Sequence, residues 1–159
     1  MTVETNVRPA DRSVATFCEA IDLSARSSLV GRRGGDAWLA EHPELSTIES
    51  WWSHSFVASV DGVPVGFLYG RVDDGRRGRI FHVDRVYVID DARELGLGDD
   101  LLAAALVLAE ELGCSCLEGV ALPGDRETKN LYERAGVVAR SITVSRRLSV
   151  PSNSEDASR

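Results

Sequence analysis

The sequence predicts an α/β fold built on a mixed, mostly antiparallel twisted sheet flanked by helices. Two apolar runs on either side of Asp61-Gly62 predict a β-hairpin, because this dipeptide favours the tight turn between antiparallel strands. A strand over 79–90 is followed by a glycine-rich loop, a helix and a further apolar strand. Since a strand–helix–strand unit needs a crossover connection, the two strands flanking this helix are predicted to be parallel neighbours.

The first third of the chain predicts one short strand and three helical segments. TNVRPA (5–10) has the composition of a short strand. Residues 11–28 keep apolar side chains at near-helical spacing and predict a helix. A shorter helix is predicted within 31–43, where a proline ends it, and a further helical turn over 45–52.

The middle of the chain changes to the alternating spacing of strands. SFVASV (55–60) and VPVGFLYGRV (63–72) form the predicted hairpin. DDGRRG (73–78) is predicted to be the next turn, and RIFHVDRVYVID (79–90) alternates as a strand.

The last part of the chain predicts two helices and two strands. An amphipathic helix is expected over 99–112, where the apolar side chains form one stripe and Gly113 ends the helix. A buried strand follows over 114–122, then a short helix that Asp125 caps. A single long strand is predicted over 137–148.

The composition indicates one globular domain over 1–148 with a polar, disordered tail over 149–159. A formal net charge of -7 argues against a nucleic-acid surface and favours cationic partners. No apolar run is long enough to span a membrane, and the polar N-terminus does not have the apolar core of a secretory signal. Three cysteines (Cys18, Cys114 and Cys116) lack zinc spacing, so we expect reduced thiols, no metal and a cytoplasmic location.

The loop RELGLG (93–98) has two interpretations from its residues alone. Gly96 and Gly98 let the backbone approach a ligand closely, and amides at the start of the following helix suit a phosphate. Asp99 and Asp100 follow at once, and acidic residues also stabilise the first turn of any helix. The loop is therefore either an anion site or an acidic helix start.

Two motifs make the chain resemble the GNAT family of N-acetyltransferases. Arg93-x-x-Gly96-x-Gly98 lies between a strand and an amphipathic helix, as the family's R/Q-x-x-G-x-G/A signature does. LYERAG, with Tyr132 and Gly136, resembles the end of the family's fourth helix. The resemblance is strong over 56–148 and implies that the parallel strand pair is splayed to bind coenzyme A (CoA).

The resemblance also implies where acetyl-CoA binds. The pyrophosphate is expected on the loop (Arg93, Glu94, Leu95, Gly96, Leu97 and Gly98), and the pantetheine arm beside Val86 and Val88. Asp125 stands where many relatives have asparagine, which puts one cofactor contact in question, and Lys129 is expected either to approach the phosphates or to face solvent.

The catalytic residues are implied in the same way. Tyr132 matches the tyrosine that often protonates the departing thiolate, the alternative being a core aromatic. His82 and Asp84 occupy positions where relatives place a base. Both fall on one face of the strand by its period of two, with Arg85 on the other face; the alternative is that both face solvent.

The acceptor is expected to be an amine of a small molecule or a protein, and the acidic net charge favours a cationic one. Trp38, Trp51 and Trp52 line the acceptor cleft in one interpretation and pack in the core in another. One long C-terminal strand would leave an open edge, which predicts a homodimer. The competing functions are a non-catalytic acyl-CoA-binding sensor and a protein that binds a different phosphate ligand.

Overall fold

The computed structural model describes residues 2–149 and contains one five-stranded sheet. The strands lie in the order of the chain, β1-β2-β3-β4-β5. They are β1 (Thr5–Pro9), β2 (Phe56–Val60), β3 (Val63–Gly75), β4 (Gly78–Val88) and β5 (Cys116–Gly119).

Four α-helices flank the sheet. They are α1 (Ala15–Ser27), α2 (Gly35–Glu41), α3 (Leu97–Glu111) and α4 (Arg126–Arg134). Short 3-10 turns precede α1, follow α2 and lead into α3. The predicted helical turn over 45–52 is found as two such turns, Leu45–Thr47 and Trp51–His54.

The pairing of the strands confirms the predicted mixed sheet. β1 to β4 are antiparallel neighbours, whereas β4 and β5 are parallel. The hairpin turn at Asp61 and Gly62 has φ angles of 48° and 80°, as a tight primed turn requires. The turn between β3 and β4 is shorter than the predicted DDGRRG loop, since the strands pair as far as Gly75 and Gly78.

The sheet carries a hydrophobic core on each face. One core contains α3 and α4, with Leu97, Leu101, Leu102 and Ala105 of α3 fully buried. The other contains α1 and the 3-10 turns, including Cys18, Leu45 and Trp51. The amphipathic stripe therefore faces the sheet as predicted.

The C-terminal part departs from the prediction in two ways. Residues 137–148 do not form a strand, and Ile142 and Val144 are 84% and 87% exposed. β5 is only four residues long and half-exposed rather than a buried strand over 114–122. The physical reason is that an alternating segment becomes a strand only against a partner edge, and β5 offers too short an edge for twelve residues.

Within residues 2–149, no helix is both long and apolar enough to cross a membrane. The predicted polar tail, apart from its first residue, lies outside the described residues.

Candidate active site

The site is a gap that opens where β4 and β5 stop pairing. Within the described residues, their parallel ladder runs from Ile80–Cys116 to Val83–Gly119 and no further. A cavity of about 610 Å³ lies beyond it, with Val86 and Val88 on one wall and Val120 and Leu122 on the other. The predicted splayed pair is thus present, and the cavity is of a size typical of ligand sites.

The backbone of β4 presents an unpaired edge to this cavity. The Ile89 N–H donates to Val65 O on the β3 side at 2.9 Å. Because successive residues of a strand direct their backbone groups to opposite edges, the N–H and C=O of Val88 lie on the other edge, as do those of Val86. Val88 O accepts from Arg93 Nε at 3.1 Å, which leaves the Val88 N–H for a ligand.

The glycine loop brings the start of α3 to the same cavity. A 3-10 turn over Asp90–Leu95 ends at Gly96, whose φ of 74° suits glycine. The first α-helical bond is Asp100 N–H to Gly96 O at 3.1 Å, so the amides of Leu97, Gly98 and Asp99 have no acceptor within the helix. These amides are the donors expected of the anion site, which stays a prediction.

The predicted loop residues contribute to the site unequally. Arg93, Glu94, Gly96 and Gly98 line the cavity, whereas Leu95 does not. The Leu97 side chain is fully buried in the core, so only its amide can reach a ligand.

Two arginines hold the loop against neighbouring elements. Arg93 donates to Glu127 of α4 at 2.7 Å and lies 2.9 Å from Asp90. Arg134 of α4 donates to both carboxylate oxygens of Asp99, at 2.8 and 3.2 Å. No local pattern in the sequence pairs Arg134 with Asp99, so Arg134 is not among the predicted site residues.

Tyr132 lines the same cavity and is 6% exposed. Its helix is capped by Asp125, which accepts from the Thr128 N–H at 3.1 Å, as predicted. Burial, and secondarily the charge of Asp84, raises the pKa of Tyr132 well above its ordinary value. A tyrosine hydroxyl is protonated at neutral pH at its ordinary pKa, and the raised pKa extends this state to more alkaline pH.

Asp84 lines both this cavity and a second one of about 330 Å³. Its side chain is 14% exposed and accepts from Arg71 Nε at 2.8 Å. The second cavity is bounded by the end of α2, the next turn and the sheet, with Glu41, His42, Pro43, Ile48, Tyr69, Arg71, Asp84 and Arg85 lining it. A carboxylate thus stands between two cavities.

Four predicted site residues line neither cavity, namely His82, Leu95, Leu97 and Lys129. His82 Nε2 is 3.2 Å from a carboxylate oxygen of Asp73, and His82 lines neither cavity. The carboxylate nearest to His82 is therefore Asp73 and not Asp84. Lys129 is 61% exposed and pairs with Glu133 at 3.6 Å, which agrees with the solvent-facing alternative.

Arg85 is a buried cation that the alternating pattern misplaced. It lines both cavities, as Asp84 does, and it donates to Asp22 of α1 at 2.7 Å. The register between β3 and β4 shifts at this point: Tyr69 pairs with Arg85, whereas the next residue, Gly70, pairs with Val83. Asp84 is therefore an extra, bulged residue of β4. The prediction that Arg85 points away from Asp84 is therefore wrong.

Trp38 is the tryptophan that faces the site. It lines the larger cavity, and the Arg85 guanidinium lies 5.4 Å from its ring centroid. Trp51 is 2% exposed in the core, and Trp52 packs against that core. Trp38 thus lines the site, whereas Trp51 and Trp52 belong to the core.

An open strand edge, free helix amides and a buried tyrosine thus surround one cavity that can hold an extended ligand. Residues 23–137 match the Acetyltransferase (GNAT) family, and the chain belongs to that family. It is 30% identical over 107 residues to the uncharacterized N-acetyltransferase YhfO of Bacillus subtilis (strain 168), which covers 66% of this chain and 72% of that protein. The protein is therefore an acetyl-CoA-dependent N-acetyltransferase.

Solved structures agree with this fold at low sequence identity. The aminoglycoside N-acetyltransferase AAC(6')-Iy in complex with CoA has a TM-score of 0.64 and 18% identity, covering 93% of this chain and 98% of that chain. The ribosomal-protein-alanine N-acetyltransferase of Brucella melitensis biovar Abortus 2308 has a TM-score of 0.62 and 22% identity, covering 94% and 100%.

The absence of a side chain at Gly119 leaves room for the Tyr132 ring. A Cβ at Gly119 would overlap the Tyr132 hydroxyl and ring, whereas one at Gly75 meets nothing within 4 Å. We expect Gly119→Ala to lower the free energy of unfolding by about 1–3 kcal/mol and to reduce kcat, because the ring must move. Gly75→Ala is the matched control, and equal urea midpoints for the two variants would contradict this placement of Tyr132.

Proposed function

We propose that the protein transfers the acetyl group to a primary amine by direct attack within a ternary complex. The observation that carries this proposal is that Asp84 lines both cavities, so a carboxylate stands where donor and acceptor would meet. Tyr132 lines the donor cavity and can give a proton to a leaving group there. When bound, acetyl-CoA supplies the thioester that the amine attacks.

The donor cavity suits acetyl-CoA along its length. The backbone edge at Val86 and Val88 is available to the amides of a pantetheine arm, and the α3 amides from Leu97 to Asp99 are available to a pyrophosphate. The Val88 N–H faces the cavity and would donate to the thioester oxygen, where negative charge develops during attack.

Asp84 is the group that we assign as the base. An attacking amine must lose a proton, and a carboxylate at the boundary of the second cavity can take it directly or through water. His82 remains the alternative from the sequence, but its contact with Asp73 and its place outside both cavities favour Asp84.

We propose that the second cavity receives a cationic acceptor. Its two guanidinium groups are already paired with carboxylates, Arg71 with Asp84 and Arg85 with Asp22, whereas Glu41 at its rim is exposed and in no ion pair within residues 2–149. A carboxylate at each end would attract an ammonium group. The names of the two structural neighbours indicate an aminoglycoside and a protein alanine as their acceptors, so both small molecules and proteins belong in a substrate screen.

Direct transfer is supported by the positions of the cysteines. Burial raises the pKa of Cys18 to about 12, which keeps it a thiol, and it lines neither cavity. Cys114 and Cys116 are free and also lie outside both cavities. A covalent acetyl-cysteine therefore has no residue to form on at this site, and the free thiols fit the expected cytoplasmic location.

Two residues that differ from an ideal CoA site, Asp99 after the glycine loop and Asp125 in place of asparagine, would favour a non-catalytic acyl-CoA-binding sensor, but both have structural roles. Asp99 is held by Arg134, and Asp125 caps α4. Because each carboxylate already has a partner within the fold, we favour the enzyme.

We also propose that residues 1–148 act as one domain and that a second copy covers the outer edge of β5. Within residues 2–149 this edge has no partner strand, and the segment after α4 exposes Ile142 and Val144. Sedimentation should give twice the monomer mass of 17.3 kDa, and a monomer at micromolar concentration would contradict the dimer.

Tyr132→Phe tests the proton donor. With the amine that gives the fastest thiol release, we expect kcat to fall at least about 10-fold while the Kd for acetyl-CoA stays within about 2-fold. Phenylalanine keeps the ring packing, so a loss of CoA binding together with activity would instead mean a structural role.

The pH profile gives a second readout of Tyr132. Because burial raises the pKa of Tyr132, this side chain ionises at a higher pH than an ordinary tyrosine does. We therefore expect no tyrosine-dependent fall in kcat up to about pH 10. A fall below that pH that Tyr132→Phe abolishes would contradict the assignment.

Asp84→Asn compared with His82→Asn identifies the base. Asparagine cannot accept a proton, so we expect kcat/KM to fall by about 100-fold or more for Asp84→Asn and by less than about 3-fold for His82→Asn. Circular dichroism checks that both variants are folded. The reverse order of effects would make His82 the base.

A further inference from the structure

We propose that Arg134 of α4 brings a second cation to the glycine loop, whose own Arg93 is engaged by neighbouring carboxylates, and that Arg134 binds a phosphate group of CoA beside Asp99. This inference rests on the acetyl-CoA site described above. Asp99 and Arg134 are 35 residues apart in the chain and meet only in the fold.

The geometry of the pair leaves Arg134 able to bind an anion. Its Nε and one terminal nitrogen hold the two oxygens of Asp99, so the N–H groups of the remaining nitrogen are available. Both residues line the donor cavity, and their side chains are 56% and 46% exposed. A planar guanidinium can contact a carboxylate along one edge and a phosphate along another.

The charges around the loop explain why such a cation is needed. Asp99 places a carboxylate in the first turn of α3, beside the amides that would hold the pyrophosphate. Arg93, the cation of the motif, is already engaged by Val88 O, Glu127 and Asp90. Arg134 both neutralises Asp99 and brings positive charge to the loop.

The other cations near the cavity are placed differently. Lys129 lies outside it and pairs with Glu133. Arg26 and Arg32 belong to the α1 side of the cavity, and the Arg26 guanidinium donates to His42 O at 2.7 Å. Arg134 is therefore the cation in direct contact with the helix start.

The test is calorimetric titration of the whole protein with CoA. We expect Arg134→Gln to weaken binding at least about 10-fold, because it removes a cation and exposes the Asp99 charge to the phosphates. Asp99→Asn should bind CoA at least as tightly as the wild type, because it removes a repulsive charge and keeps Arg134. The double variant should lie between these two, and Arg134→Lys should recover part of the loss.

A simple bridge between α3 and α4 predicts a different pattern. In that case Arg134→Gln and Asp99→Asn would lower the thermal midpoint equally and leave the Kd for CoA within about 2-fold of the wild type, which would overturn the proposal. Lys129→Gln is the matched control, since it removes one positive charge from the same helix outside the cavity, and its Kd should not change.

Dephospho-CoA shows which phosphate Arg134 binds. If Arg134→Gln weakens CoA and dephospho-CoA by the same factor, the contact is with the pyrophosphate. If only CoA binding is weakened, the contact is with the 3′-phosphate. A wild type that binds neither ligand would contradict the acetyl-CoA site itself, whereas tight wild-type binding with no effect of Arg134→Gln contradicts only the role of Arg134.

Discussion

The parallel pairing of β4 with β5 covers only four residue pairs, and the active site depends on where it stops. Beyond Val83 and Gly119 the strands separate, which frees the outer backbone edge of β4 and opens the cavity. The start of α3 and Tyr132 both line this cavity. A longer ladder would satisfy more backbone groups but would close the site, so the fold gives up sheet pairing where binding requires free donors.

The site is made of compensated charges rather than of one strong field. Asp99 is held by Arg134, Arg93 by Glu127 and Asp90, Asp84 by Arg71, and Arg85 by Asp22. An acidic protein can in this way present helix amides to an anionic donor without repelling it through its own carboxylates. The buried Arg85–Asp22 pair also ties α1 to β4, so it fixes the wall that both cavities share. One buried nitrogen of the described residues, Arg85 Nε, has no hydrogen-bond partner.

Local patterns predicted the elements that depend on local chemistry. The Asp61-Gly62 turn, the parallel strand pair, the loop before α3 and the Asp125 cap each follow from residue types at fixed spacing. Sequence alone did not predict the extra residue at Asp84, since alternation holds only in an unbroken ladder. Gly70 was the available signal, because a glycine inside a strand often marks a bulge, and here a Cβ would overlap Phe81. The prediction of a strand over 137–148 was wrong for a related reason, since a strand needs a partner strand that its own sequence does not specify.

The most direct test of a phosphate site at the start of α3 is a titration with acetyl-CoA. It compares the wild type with the variants Gly96→Glu and Gly113→Glu. Gly96 and Gly113 stand at the two ends of α3 with φ angles of 74° and 71°, and a Cβ at either meets nothing within 4 Å. The two variants therefore carry the same backbone strain and the same added charge. We expect saturable binding of acetyl-CoA by the wild type and Gly113→Glu, and loss of that binding in a folded Gly96→Glu variant. Equal binding by all three proteins would contradict a phosphate site at the start of α3.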